Sequence, residues 1–437
     1  MIPAFLNMIC GGMFLSYGVF DIIAGYQRWT VGMSTAALFF VPASFHITMI
    51  VGVIAGSSVY NSIEIKKIHL THSSLMLIAS IILIVLPNSY IGNVTSRCLF
   101  GLGFGSSYIT FVIYGSEISS PQIRAQVIYM LHLSLTFGMF LFSAFALTTN
   151  FPVVMQLKGS LSTALALFSI TLGYFKLESS HIFMMQNNSK DALEKLRYFQ
   201  QDSTDNPHVE SETMQSYIIE EKKRRFDFFG QHNVSALLVI LLVQLGYLSI
   251  FNAFHNFHRA VFLSVYLTVG STDFSQVAMM GTRLLGCMAG FVLLDRITKR
   301  LQYFIPAVAI SALLLVFGVL LQVYQYLYIW TPLIFFIPLE FLLGMGLSPI
   351  ADILKGELFA LKEKPASIAF IMVATEILHI TCILLLYTWY LSIGSTPVLL
   401  TFIFSAITLA CGTSVLLLLL DSRKQSLRMV ANLYSNK

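Results

Sequence analysis

Charged side chains are scarce in this sequence of 437 residues. Asp, Glu, Lys and Arg together make up 11% of it, whereas hydrophobic residues make up 56%. A soluble domain carries roughly 25% charged residues, so the shortage excludes an ordinary water-soluble globular protein. A large surface in contact with lipid is the simplest interpretation.

Cysteine is also rare, and its positions do not suit disulfide bonds. The five cysteines, an odd number, all lie in apolar segments: Cys10, Cys98, Cys287, Cys382 and Cys411. This excludes a disulfide framework. Their spacing matches no metal-binding pattern, so we expect neither a metal nor a cofactor.

The sequence lacks the arrangements that are typical of enzymes. Its ten histidines are scattered, and no Ser/His/Asp combination or carboxylate pair shares a polar segment. The Gly-x-Gly pattern at 101–105 follows no predicted strand, so it does not indicate a dinucleotide loop. We therefore expect no catalytic residues.

Long apolar runs are abundant instead. About twelve of them recur, and each is close to the ~20 residues that a membrane-spanning helix needs. They lie near 4–24, 42–60, 68–87, 92–114, 125–147, 152–175, 235–257, 275–294, 303–322, 328–350, 366–389 and 396–420.

Lys and Arg are distributed unevenly between the connections of these runs. If both termini are cytoplasmic, all but five of the 26 Lys and Arg residues fall on the cytoplasmic side. This is the positive-inside pattern. The net charge of +5 therefore reflects topology and gives no reason to expect a nucleic-acid partner, whereas the basic cluster at 222–225 is expected to contact lipid headgroups.

Residues 97–124 carry the most distinctive pattern in the chain. Gly101 and Gly105 are four residues apart, so they share one helix face, where small residues let a second helix approach closely. We predict that this helix ends at Tyr114. The whole pattern comprises Arg97, Gly101, Gly103, Gly105, Tyr114, Ser116, Glu117, Ile118 and Arg124.

This pattern resembles the signature of the sugar porter family of the major facilitator superfamily. Two other stretches, 290–300 and 344–368, are also similar to motifs of that family. The resemblance implies an all-α membrane protein with twelve transmembrane helices in two pseudo-symmetric six-helix bundles. The predicted units are an N-terminal bundle (1–175), a cytoplasmic linker with short helices (176–233), a C-terminal bundle (234–421) and a cytoplasmic tail (422–437).

The resemblance also implies a gate at the cytoplasmic ends of the helices. Opposite charges there can pair and hold the two halves together, although each exposed pair contributes only about 0–1 kcal/mol. Ordinary topology charges are the alternative interpretation. The predicted gate residues are Glu117, Arg124, Asp295, Arg296, Arg300, Glu357 and Lys364.

The predicted substrate cavity differs from the neutral site of the family. Asp352 and Glu376 occupy positions where the family has tryptophan. Because an isolated charge at the middle of the bilayer costs ~3 kcal/mol or more, we expect a carboxyl there to be protonated, to pair with a histidine, or to bind a cation. The predicted cavity residues are Tyr17, His132, Gln244, Asn252, Asp352, Thr375, Glu376 and His379.

By this resemblance, the chain moves a sugar, either a hexose or a small oligosaccharide such as trehalose, across the plasma membrane by alternating access. Two alternatives stay open. One is a porter of a non-sugar solute, cationic or proton-coupled. The other is a non-transporting membrane sensor that kept the fold.

Overall fold

The computed structural model describes residues 1–15, 35–120, 122–145, 151–176, 228–248, 274–323, 331–359, 362–392 and 397–420. These residues form helices, and none of them lies in a strand. The helices are α1 (Ile2–Leu15), α2 (Thr35–Val59), α3 (Ile65–Val85), α4 (Tyr90–Ile118), α5 (Arg124–Phe145), α6 (Phe151–Lys176), α7 (Gln231–Leu248), α8 (Phe274–Leu293), α9 (Lys299–Val323), α10 (Thr331–Leu342), α11 (Ser348–Glu357), α12 (Lys364–Ser392) and α13 (Pro397–Leu418).

The helical, membrane-spanning class is confirmed. Nine helical spans in the described part of the chain are long and apolar enough to cross a membrane, and three further apolar helices are shorter. Every predicted apolar run overlaps a described helix. The run at 328–350 corresponds to α10, a π-helical turn (Leu343–Leu347) and α11, which follow one another without a break.

The helices before and after the central polar segment form two halves. In the first half α4 packs against α2 and α3, while α1 packs against α5 and α6. In the second half α9 packs against α13, and α8 packs against α10. The halves meet where α2 contacts α12 and where α5 contacts α8 and α11.

Helix α4 lies directly against two neighbours at its glycines. A Cβ atom added to Gly101 or Gly105 would collide with a backbone carbonyl of α2, and one added to Gly103 would lie 2.8 Å from the carbonyl oxygen of His72 in α3. The predicted helix end at Tyr114 is wrong, because α4 continues to Ile118. The extra turn is stabilised by burial, and the Ser116 hydroxyl donates to the carbonyl of Ile113.

Helix α11 has no face towards lipid or water, since each of its ten residues is buried. Ser348, Asp352 and Lys355 are spaced four and three residues apart, so they share one face of this helix. The preceding π-helical turn contains Gly344 and Gly346, which pack tightly against the backbones of α8 and α9. Such π-helical turns are frequent at functional sites.

The predicted linker and tail cannot be compared in the same way. Residues 177–227 and 421–437 lie outside the described residues. The domain boundaries therefore stay predictions, although α6 ends at Lys176 and α7 begins at Gln231.

Candidate functional site

A buried polar cluster surrounds Asp352 at the contact between the two halves. Oδ1 of Asp352 accepts hydrogen bonds from the Tyr108 hydroxyl on α4 and from Nζ of Lys355, the latter at 2.9 Å. Oδ2 lies 2.7 Å from Nδ1 of His132 on α5. With Ser348, these four residues form what we call the central cluster.

His132 uses both of its ring nitrogens in this cluster. Nδ1 faces Asp352, and Nε2 lies 2.8 Å from Oγ of Ser348. Nζ of Lys355 also lies 3.2 Å from the Tyr108 hydroxyl, so Lys355, Tyr108 and Asp352 all contact one another. Since His132 and Tyr108 belong to the first half and the other members to the second, the central cluster joins the halves.

A second imidazole–carboxylate contact, which we call the second bridge, joins the halves at α2 and α12. Nδ1 of His46 lies 2.6 Å from Oε2 of Glu376. The ring of His379 stacks on the ring of His46 with 4.9 Å between their centroids. Lys355 acts electrostatically on Glu376, so the second bridge and the central cluster are neighbours.

Both contacts between the halves have the same chemistry. In each, the imidazole belongs to the first half and the carboxylate to the second. Asp352 and Glu376 each have a histidine partner, and they share one nearby ammonium group, that of Lys355. Neither carboxylate is therefore an isolated negative charge.

The other predicted cavity residues are less informative. Gln244 on α7 is buried, and α7 packs against α11. The Thr375 hydroxyl donates to the carbonyl of Ile371 in its own helix. Tyr17 and Asn252 lie outside the described residues.

Several predicted gate residues meet at one end of the bundle, which we call the loop end. Here α2, α4, α8 and α11 finish, and α3, α5, α9 and α12 begin. Lys364 Nζ donates to Ser116 Oγ and to the carbonyl of Gly356, both at 3.0 Å. Arg124 Nε donates to the carbonyl of Ser116 at 2.9 Å. Lys364 and Arg124 therefore converge on the end of α4.

Two acidic gate residues, Glu117 and Glu357, have partners that the gate prediction did not include. The Tyr60 hydroxyl donates to Oε2 of Glu117 at 2.9 Å. Glu357 forms a buried ion pair with Lys299 at the start of α9. Arg300, the neighbour of Lys299, is exposed. Consecutive residues of a helix point in different directions, which explains why only one of this basic pair reaches Glu357.

Asp295 and Arg296 are exposed at the loop end. Asp295 nevertheless contacts the first half, because Gln126 Nε2 on α5 donates to its Oδ2 at 2.6 Å. Among the described residues of the loop end, hydrogen bonds at Gln126 and at Lys364 connect the halves directly.

Seven residues of these contacts were not among the predicted cavity or gate residues: His46, Tyr60, Tyr108, Gln126, Lys299, Ser348 and Lys355. The spacing of three residues between Asp352 and Lys355 indicates that these two side chains share a helix face. His46 lies within an apolar run, and an ionisable side chain inside a membrane-spanning segment indicates a functional site. Tyr108 carried no such signal.

Comparison with known proteins identifies the family. The model of a family described as "Sugar (and other) transporter" matches residues 8–434, which is nearly the whole chain. The chain belongs to this family. It is accordingly a multi-pass membrane protein of the sugar porter type. No curated protein matches this porter in sequence.

Solved structures agree with this porter in fold. The proton:xylose symporter XylE bound to 6-bromo-6-deoxy-D-glucose matches with a TM-score of 0.80 at 14% identity, covering 99% of this chain and 98% of that chain. An inward open conformation of XylE from E. coli matches with a TM-score of 0.68 at 14% identity, with 99% and 98% covered. At this identity the likeness establishes the major facilitator fold.

Proposed function

We propose that this porter moves a neutral sugar, a hexose or a small oligosaccharide, across the membrane by alternating access. The observation that carries the proposal is the central cluster, a buried polar group at the contact between the halves. Hydroxyl, imidazole and amide groups can all hydrogen-bond a polyol. Gln244, on a helix packed against α11, adds an amide to the hydroxyl and imidazole groups of the cluster.

Alternating access also needs contacts that close one side of the site. The connections at Gln126 and Lys364 join the halves at the loop end. We propose that this end faces the cytoplasm, that both termini lie there, and that the membrane is the plasma membrane. A solute at the central cluster reaches that side only when these two connections break.

A proton-coupled form of the same transport is the second candidate. The two histidine–carboxylate contacts between the halves favour it, because a histidine exchanges protons near physiological pH. A cationic solute is the less favoured alternative, because each carboxylate already has a histidine partner. A non-transporting sensor remains the rival from a different class, and only a flux measurement separates it from a porter.

The decisive experiment is uptake of radiolabelled sugar by proteoliposomes. Glucose, xylose and trehalose are tested separately, with protein-free liposomes as the blank and Asp352→Asn as a variant of nearly unchanged size. We expect saturable uptake of at least one sugar and a loss of about tenfold or more in the variant, since Asp352 is the acceptor for three donors. Uptake equal to the blank for every sugar would contradict sugar transport and would favour a porter of a non-sugar solute or the sensor.

A further inference from the structure

We infer that His132 is a proton-binding site, and that Lys355 keeps the bound proton exchangeable. Protonation of His132 then holds the two halves together at the central cluster. The inference rests on the proposed transport function only for its effect on flux. The contact between the halves forms in the protein itself and needs no sugar.

The geometry around His132 accommodates either protonation state. When the ring is neutral, Nδ1–H donates to Asp352 and Nε2 accepts from the Ser348 hydroxyl. When the ring is protonated, both nitrogens donate, and the hydroxyl oxygen accepts. The proton is thus gained or lost at Nε2, and only the hydroxyl hydrogen of Ser348 has to rotate, since both contacts already have hydrogen-bond length.

Several elements present ionisable groups to this site. Asp352 is negative and favours the added proton, whereas Lys355, which contacts Asp352, is positive and opposes it. Glu376 is a second negative group, and it acts on Tyr108 of the central cluster. Arg283 on α8 is paired with Glu340 and donates to Tyr247, so its charge is compensated. The groups from neighbouring helices are Tyr108 of α4, Tyr247 of α7, Cys287 of α8, Asp352 and Lys355 of α11, and Glu376 of α12.

Lys355 is the feature that makes the proton releasable. With Asp352 alone, a protonated His132 would form a neutral buried ion pair and would hold its proton tightly. Lys355 already neutralises Asp352 at 2.9 Å, and the carboxylate of Glu376 is engaged with His46. The added proton therefore leaves His132, Asp352 and Lys355 together with one excess positive charge. Buried excess charge is unfavourable, so the proton can leave again.

The direction of the pH effect follows from where the partners lie. Protonated His132 donates a charge-assisted hydrogen bond to a carboxylate of the other half, and such bonds are stronger than neutral ones. Separation of the halves removes this partner. The closed arrangement is therefore favoured as pH falls, and its advantage is lost as pH rises.

Distances between spin labels at the loop end test the inference. Labels are attached at Ser62 and Arg296, which are exposed in different halves, after the native cysteines have been replaced by serine. The distance distribution is measured in nanodiscs without sugar from about pH 5.5 to about pH 8. We expect the population with the short distance to grow severalfold as pH falls.

Four variants complete the test, and one of them, His46→Gln, changes the histidine of the second bridge. His132→Gln should make the distribution independent of pH. Lys355→Met should move the midpoint of the transition to higher pH by about one unit, because a like charge that opposes protonation is gone. His69→Gln, which removes an equally buried histidine of the first half, should leave the profile of the parent unchanged.

The inference is overturned if His132→Gln keeps the pH dependence, or if Lys355→Met leaves the midpoint unchanged or moves it down. It is also overturned if His46→Gln abolishes the dependence while His132→Gln does not, since the proton would then belong to the second bridge. Sugar flux plays no part in these outcomes. A failure of the proposed transport function is seen only in proteoliposomes.

Discussion

At the scale of single residues, burial distinguishes neighbours that the sequence leaves equivalent. Lys299 and Arg300 are both basic and both stand at the start of α9. Lys299 is buried in an ion pair with Glu357, whereas Arg300 is exposed. The structural role at this position therefore belongs to Lys299 alone.

The stability of two matched variants checks this assignment. Lys299→Met leaves the carboxylate of Glu357 without its ion-pair partner, and breaking a buried pair in this way costs about 3–5 kcal/mol. Arg300→Met removes an exposed charge and should change stability by no more than about 0.5 kcal/mol. Thermal unfolding in detergent, followed by circular dichroism, should give a clearly lower midpoint for the first variant only. Equal losses in both would contradict the assignment.

At the scale of helices, the glycines of α4 determine how closely its neighbours approach. A Cβ atom at Gly105 would collide with the carbonyl oxygen of Met49, which belongs to the backbone of α2. Backbone cannot rotate away as a flexible side chain can. We therefore expect Gly105→Ala to force α2 and α4 apart, at a cost of about 1–3 kcal/mol.

A glycine with a softer neighbour provides the control. A Cβ atom at Gly281 on α8 would meet the ring of Phe140, with the nearest atom 3.3 Å away. A small rotation of that ring accommodates the methyl group, so Gly281→Ala should unfold at nearly the parent temperature in the same assay. If Gly105→Ala is equally stable, the close contact between α2 and α4 is not the reason for glycine there.

The positions of the helices could be predicted from the sequence, whereas their contacts could not. A lipid-spanning helix needs about 20 apolar residues, so the apolar runs correctly located the described helices. The end of α4 was placed too early because Gly115 and Ser116 look like loop residues, although they are buried. The pairing of His132 with Asp352 spans 220 residues and depends on how the two halves pack together, which no local pattern encodes.

At the scale of the whole molecule, the orientation in the membrane is a separate prediction. From the positive charge on the connections, we predict that the segment 201–213 and both termini lie in the cytoplasm. Epitope tags inserted at 201–213 or at either end should bind antibody only after the cells are permeabilised. A tag within 88–89, between α3 and α4, serves as the control and should react on intact cells. Labelling of the 201–213 tag from outside would reverse the orientation and the assignment of the loop end.

The connection at Lys364 gives the last prediction, because it ties the halves together at the loop end. Lys364→Met removes the bonds to Ser116 and to the carbonyl of Gly356, so the halves should separate there more often. Cys287 reports this separation, since it is buried where its thiol lies 3.5 Å from the Thr136 hydroxyl of the other half.

The measurement is the rate at which a small maleimide alkylates Cys287 at fixed pH, with the other cysteines replaced by alanine. We expect the rate to rise severalfold in Lys364→Met, because the thiol is exposed more often. Arg296→Met, which removes an exposed charge from the same end, should react at the parent rate. If both variants match the parent, the hydrogen bonds of Lys364 stabilise the second half locally and do not control the opening of the loop end.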